Sequence, residues 1–203
     1  MSAKEINNAE NIILGSGDLY LMKFTGTVPE DATIETEDNQ AGNIKGGATL
    51  EYKAESTSVE DDKGRVKKTV TTSEEVTFKT GLITWVKEYI QALVATARVD
   101  ESSKPGHRVF KIGGLGNAAK DRWLWRFVHT RDDGRKLRVT VTGKNTGTIS
   151  LAFDPAKEST VDAEIKADTL DDNGTLVIID DQITASPEAA AANMAEDQGA
   201  GGK

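Results

Sequence analysis

The residues that could do chemistry are few in this chain, and their surroundings favour structural roles. The chain has two histidines, His107 and His129, and no cysteine, which excludes a thiol nucleophile and a zinc–thiolate site. Neither histidine has a nucleophile or a metal-ligating set beside it in the sequence. We therefore expect both histidines at the edge of the core or on the surface, and we predict no catalytic residue, no metal and no cofactor.

Two segments resemble ligand-binding loops but lack the element that such a loop needs. Residues 114–120, GLGNAAK, resemble a phosphate-binding loop. A tryptophan-rich strand follows them, where a helix N-terminus would have to meet the phosphate. Residues 169–180 have calcium-loop spacing at Asp171, Asn173 and Gly174, but we expect strands on both sides instead of helices. Both segments are therefore predicted to be turns.

Length and charge limit the classes of protein that the chain can belong to. Its 203 residues fit one domain, and its formal net charge of −8 argues against non-specific binding of nucleic acid through the bulk surface. No apolar run approaches the roughly 18 residues of a membrane span. Residues 1–5 show no apolar signal region, so we expect a protein made in a cytoplasm. We predict a flexible N-terminus over residues 1–10, a β domain over 11–183 and a disordered Ala/Gly/acid-rich tail over 184–203.

The stretch that organises the chain, residues 46–98, predicts a strand, a long polar loop, a second strand and a helix. Residues 48–55 alternate with period two, and residues 68–80 do the same, as strands with one buried face do. Val70, Val76 and Phe78 share the apolar face of the second strand. The alternation places a set of polar residues on the opposite faces: Glu51, Glu55, Thr71, Ser73, Glu75 and Thr77.

The loop and the helix of this stretch are predicted from composition and period. Residues 56–67 are almost wholly polar and too many for a simple hairpin turn, which suggests docking onto something else. The charged residues at the end of this loop are Glu60, Asp61, Asp62, Lys63, Arg65 and Lys67. Helical spacing then begins, and it predicts a helix over residues 82–97 with an apolar stripe. The stripe includes Leu82, Trp85, Val86, Tyr89 and Leu93.

The second half of the chain is predicted to consist of strands and turns. Trp123, Trp125 and Phe127 share one face of a strand over residues 122–129, where we expect them in the core. Leu124 and Val128 lie on the other face, which indicates a strand covered on both sides. About eight or nine strands and one sizeable helix result. We therefore predict a mainly β protein, an antiparallel β sandwich or partial barrel with one flanking α-helix.

An ordered series of segments resembles the tail tube proteins, or major tail proteins, of long-tailed bacteriophages. The series extends over roughly residues 11–180, and the ordered set carries the resemblance because no single segment is diagnostic. The segments are 13–20 (ILGSGDLY), 46–52 (GGATLEY), 64–69 (GRVKKT), 81–85 (GLITW), 111–117 (KIGGLGN), 126–129 (RFVH) and 171–176 (DDNGTL).

The resemblance implies a structural virion protein, assembled in the host bacterial cytoplasm and located in the phage tail. Such proteins form hexameric rings that stack into a hollow tube, whose subunits share one inner β barrel. The tube surrounds the tape measure protein, ends at tail terminator and distal tail proteins, and conducts DNA without binding it specifically. The resemblance assigns the loop over residues 56–67 to contact with the next ring. The polar faces of the central hairpin are the candidate lumen face.

Two other functions remain open on the sequence. The tube protein of a contractile injection device or of a phage-tail-like bacteriocin shares the fold, and a neighbouring sheath gene would identify it. A small ligand-binding or hydrolytic β-barrel protein is an alternative of a different class. The sequence shows no polar cluster within an apolar pocket, which argues against that class.

Overall fold

The computed structural model describes residues 16–42, 44–60, 62–63, 67–82, 87–148 and 161–184. The predicted flexible N-terminus lies outside these ranges, and so does the predicted tail after residue 184. Four residues with predicted roles, Asp61, Arg65, Trp85 and Val86, also lie outside the described residues.

Nine strands and two short helices form the described part of the chain. The helices are α1 (Asp31–Ile34) and α2 (Ile90–Leu93), and 3-10 turns lie at Glu37–Asn39, Lys87–Tyr89 and Leu115–Asn117. The strands are β1 (Asp18–Lys23), β2 (Ile44–Glu60), β3 (Lys67–Leu82), β4 (Arg98–Asp100), β5 (Val109–Lys111), β6 (Trp123–Thr130), β7 (Lys136–Asn145), β8 (Val161–Asp168) and β9 (Val177–Asp181).

Seven of the strands form one antiparallel sheet, and β4 and β5 form a separate pair. The order in the large sheet is β1-β6-β7-β8-β3-β2, and β9 also pairs with β7. Two strands share the edge of β7 that faces away from β6. Residues 137–141 pair with β9, and residues 142–145 pair with β8. The sheet does not close into a barrel. The predicted mainly β, antiparallel class is confirmed.

The main core lies on the concave face of this sheet. Phe78 on β3 and Phe127 on β6 are three strands apart, which in a flat sheet would separate their backbones by about 14 Å. Their ring centroids are only 6.3 Å apart, so the sheet curves over its own face. Residues 89–97 cover this face, and the ring of Tyr89 meets Trp123 edge-on at 6.2 Å.

The central strand β6 is covered on both faces, as the sequence predicts. Trp123, Trp125 and Phe127 are buried in the main core. Leu124 on the other face packs against Ile34 of α1 in a second, smaller cluster. The tryptophan stripe is therefore core and not a stacking platform for bases or sugars.

The predicted helix over residues 82–97 is much shorter in the structure. Leu82 is the last residue of β3, where it pairs with both Ile44 and Val161. The described remainder consists of a 3-10 turn and the single α-turn α2, which ends because Val94 is extended (φ −130°, ψ 102°). β-Branched and aromatic residues are frequent here, and they lose side-chain freedom in a helix. The stripe residues Leu82, Tyr89 and Leu93 are nevertheless buried, so the periodicity identified the core contacts correctly.

Close packing of β7 against β8 requires a glycine at position 143. A Cβ atom on Gly143 would lie 2.2 Å from the carbonyl oxygen of Lys166 and 3.1 Å from Ile165 Cγ2. Gly143→Ala must therefore push β7 and β8 apart, and we expect it to lower the free energy of unfolding by about 1–3 kcal/mol. Chemical denaturation measures this loss. Gly116→Ala is the matched control, because its Cβ would meet nothing within 4 Å. Equal stabilities of the two variants would contradict the close packing.

Candidate functional site

The β2–β3 hairpin extends far beyond the sheet from which it starts. Strand β8 pairs with β3 only over residues 77–82, and beyond that point β2 and β3 continue as a pair by themselves. We call residues 51–60 and 67–75 the ribbon. All of its side chains are exposed on both faces. An isolated two-stranded hairpin is marginally stable in water, so a ribbon of this length suits a surface that another molecule covers.

Residues 56–67 were predicted to be a polar loop, but most of them belong to strands β2 and β3. The predicted loop is therefore too long. Pairing continues to Glu60 and Lys67, so the connection is only residues 61–66. The small hydroxyl residues at positions 56–58, 69, 71 and 72 suit an exposed ladder, and the hydroxyl oxygens of Ser58 and Thr69 lie 2.8 Å apart. Asp62 and Lys63 form part of the turn at the tip.

A β-bulge interrupts the alternation of side chains along the ribbon. Glu55 pairs with Ser73 and the next residue, Ser56, pairs with Thr71, so Thr72 is the extra residue. The Thr72 hydroxyl donates to the Glu55 carbonyl oxygen at 3.2 Å. An extra residue reverses the faces of all positions beyond it in the same strand. Residues 67–71 of β3 therefore face opposite to the side that strict alternation predicts.

Two of the six residues predicted for the polar face lie elsewhere in the structure. Thr71 pairs with Ser56 and so lies on the opposite face from Ser73, which corrects its assignment. Thr77 is buried, because β2 and β8 flank it through Glu51 and Lys166. The other predicted members are exposed on one common face, which we call the polar face of the ribbon: Glu51, Glu55, Ser73 and Glu75.

Three described lysines on or beside this polar face bind carboxylates. Lys53 Nζ lies 3.2 Å from Glu55, Lys79 Nζ lies 3.0 Å from Glu51, and Lys166 Nζ lies 2.5 Å from Glu75. Hydrogen bonds from Lys53 and Lys166 lower the pKa values of Glu55 and Glu75. The hydrogen bond to Glu51 raises the pKa of Lys79. These three lysines are thus neutralised by carboxylates, while Lys68 lies on the same face nearer the tip, opposite Val59.

Among the described residues, no strand pairs with the outer edge of β2 at any point along its length. Its only described strand partner is β3, so a 17-residue strand presents backbone donors and acceptors to solvent. It contains no proline that would block pairing. Natural proteins usually shorten, charge or cover such edges, and an edge of this length is suited to pairing with another chain.

The residues considered for chemistry all have structural roles or lie apart from one another. His129 is buried, and its Nδ1 lies 2.7 Å from the carbonyl oxygen of Ser16, while His107 is exposed. Asp171 accepts hydrogen bonds from the backbone of Asn173 and Thr175, which uses the carboxylate to cap a turn. Among the described residues, no group of three or more metal-ligating side chains converges on one point.

A groove beside the base of the β2–β3 hairpin is a candidate site for a small ligand. It has a volume of about 510 Å³ and is open to solvent. Its lining is polar and rich in glycine, with Lys79, Asp162 and Glu164 as its charged members. Lys79 already binds Glu51, and none of the described residues that line the groove is aromatic. This lining lacks the apolar walls typical of small-molecule sites.

A half-buried ion network, which sequence reasoning missed, fixes the segment around α1 to the convex face of the sheet. Glu35 accepts hydrogen bonds from Arg138 Nε at 2.5 Å and Lys136 Nζ at 2.8 Å. Arg126 Nη1 lies 2.6 Å from Asp31, and its side chain is 5% exposed. The partners of Glu35 are about one hundred residues away in sequence, so no local sequence pattern indicates them. The one signal in the sequence is that Arg126 alternates with Val128 on a strand face that is predicted to be covered.

This network makes stability depend on pH. Partial burial alone would raise the pKa of Glu35, but the hydrogen bonds and charges of Arg138 and Lys136 outweigh it and lower the pKa. A lowered carboxyl pKa contributes stability above the unfolded value of about 4.3, and the contribution is lost as the pH falls through the folded pKa.

We therefore expect the wild-type chain to lose stability more steeply than Glu35→Gln between pH 7 and pH 3.5. Urea unfolding of both proteins at several pH values measures the difference. Parallel curves over that range would show that Glu35 does not titrate with a lowered pKa.

No protein-family model matches the chain, and neither does any curated protein. In the part of the chain that the structure describes, every helix falls short of the length and apolar character needed to cross a bilayer. The features of this chain that bear on its function are therefore the geometry of the ribbon and the sequence resemblance.

Proposed function

We propose that this protein is a structural subunit that assembles as stacked hexameric rings into the hollow tail tube of a bacteriophage. In this function the tube surrounds the tape measure protein and conducts DNA into the host. The observation that carries the proposal is the ribbon, a strand pair exposed on both faces with an open outer edge. A subunit that works alone has no use for such a surface, whereas a subunit of a continuous β wall does.

The open edge of β2 supports joining between neighbouring copies. Strand addition at an exposed edge satisfies backbone donors and acceptors across an interface. A heterologous edge contact that repeats by rotation gives a closed ring when the rotation closes, and an open filament when it does not. Pairing of this kind would also protect the ribbon, since a third strand stabilises a two-stranded hairpin.

The charge of the polar face supports its assignment to the lumen. Three lysines on or beside this face are matched by carboxylates at 2.5–3.2 Å. Retention of DNA requires cations that are free to replace counterions at phosphates. A wall in which these lysines are paired offers fewer cations to DNA, which favours passage through a conducting tube.

Sedimentation velocity over a range of protein concentrations tests the proposed function. We expect species at the mass of six subunits and multiples of it, and larger assemblies as the concentration rises. A sharp monomer at all concentrations and salt conditions would contradict self-assembly. Two salt concentrations separate charge-dependent contacts from apolar ones, because exposed ion pairs are screened by salt.

A further inference from the structure

We propose that the tip of the ribbon in one copy packs on the middle of the ribbon in the next copy. In this contact Val59 and Val70 of one copy pack on Tyr52 of the next. The inference rests on the proposed function and adds the residues that meet. It follows from the bulge at Thr72, which places Val70 on the same face as Val59.

The bulge creates a small apolar patch at the tip. Val59 pairs with Lys68 and Thr57 pairs with Val70, so the two valines are diagonal neighbours on one face. If Thr72 paired with Ser56 in regular alternation, Val70 would lie opposite Ser58 on the other face, away from Val59. Val59 is 71% exposed and Val70 is 50% exposed. We call these two side chains the tip patch.

The opposite face of the ribbon carries a complementary aromatic surface. Tyr52 is 61% exposed although it lies on the same side of β2 as the buried part of the hairpin. Its hydroxyl donates to Glu74 Oε1 at 2.8 Å, and this hydrogen bond raises the pKa of Tyr52. The ring is therefore held in place beside a carboxylate, with the small residue Ala54 next to it. Aromatic side chains held in this way are frequent anchors of interfaces.

Charge complementarity identifies the occupant as a second copy of this chain. The tip patch has Lys68 beside Val59, and the surface around Tyr52 has Glu74. A cation with two valines on one face thus matches an anion with an aromatic ring on the other. Because the two surfaces lie on opposite faces of the same ribbon, the contact is heterologous and repeats from copy to copy.

Disulfide trapping tests this contact directly, because the chain has no cysteine of its own. Val70→Cys and Tyr52→Cys are made as separate variants, mixed, assembled and oxidised. Within one chain the two positions are about 17 Å apart along the ribbon and on opposite faces, well beyond the roughly 7 Å limit for a disulfide. A disulfide between them therefore reports a contact between copies.

We expect covalent dimers in the assembled mixture of Val70→Cys and Tyr52→Cys. The matched control replaces Val70→Cys by Thr71→Cys, which is adjacent in sequence but lies on the other face, and it should give none. Normal assemblies without crosslinks, or with equal crosslinks in the control, would overturn this inference alone. Val70→Cys dimers formed without the second variant would overturn it in favour of a tip-to-tip contact. Failure of the unmodified chain to assemble would overturn the proposed function as well.

Exchange of Val70 and Thr71 provides a second test that does not depend on crosslinking. The double variant Val70→Thr with Thr71→Val moves the valine to the other face of the ribbon, whereas Thr71→Val alone keeps Val70 in the tip patch. Both variants change only the exposed ribbon, and we expect both to fold with the wild-type melting temperature. The double variant should lose assembly and Thr71→Val should keep it. Assembly of the double variant at wild-type concentrations would overturn the inference.

Discussion

Glu35→Gln should lower the free energy of unfolding by about 3–5 kcal/mol, because it removes the central anion of a half-buried ion network. The Glu35 side chain is 9% exposed and its carboxylate binds both Arg138 and Lys136. Loss of its charge leaves two cations with less compensation at a site where water has poor access. Chemical denaturation at pH 7 measures the effect.

Glu37→Gln is the matched control on the same segment. Glu37 is exposed, and a change at such a position usually alters stability by less than about 0.5 kcal/mol. A loss at Glu35 no larger than that at Glu37 would show that the network does not fix α1 to the sheet. The double variant Glu35→Leu with Arg138→Leu refines the test. It should recover part of the loss, since apolar residues often replace a buried ion pair without cost.

Shortening the ribbon should abolish the stacking of rings into tubes and leave the subunit folded. The variant removes residues 57–70 and joins Ser56 to Thr71, which pair directly, through an Asn-Gly turn. The deleted side chains that the structure describes are exposed and make no part of either core cluster. We therefore expect the free energy of unfolding to change by no more than about 0.5 kcal/mol. Sedimentation velocity should show only subunits or single rings.

A second shortened hairpin serves as the control for this deletion. In this control, an Asn-Gly turn joins Asp100 to Val109 and replaces the exposed residues 101–108 between β4 and β5. This variant should assemble like the wild-type chain. Loss of assembly in both variants would mean that shortening any hairpin has this effect. Long tubes from the shortened ribbon would place the contact between rings elsewhere.

The strands were predictable because their signal is local. Alternation at residues 48–55 and 68–80 depends on neighbours two positions apart, and a half-buried sheet imposes this period. The structure contains strands at both places, and the covering of β6 on both faces followed from Leu124 and Val128. The core role of Tyr89 and Leu93 was also visible, since burial does not require the predicted helix to be complete.

The misassigned features depend on tertiary context. The bulge at Thr72 moves Thr71 and Val70 to new faces, and a run of threonines contains nothing that marks one of them as extra. The ribbon continues through residues 56–60 because pairing with residues 67–71 outweighs their polar composition. The ion network joins α1 to strands about one hundred residues away, so the partners of Glu35 emerge only when the sheet forms.

Negative-stain electron microscopy of the purified full-length chain tests most directly whether it builds a tube. We expect hollow cylinders made of stacked rings, with sixfold symmetry in end-on views and a regular axial repeat. Addition of the shortened-ribbon variant in excess should limit their length. Separate compact particles without rings, at all concentrations at which the chain remains folded, would contradict the proposed function.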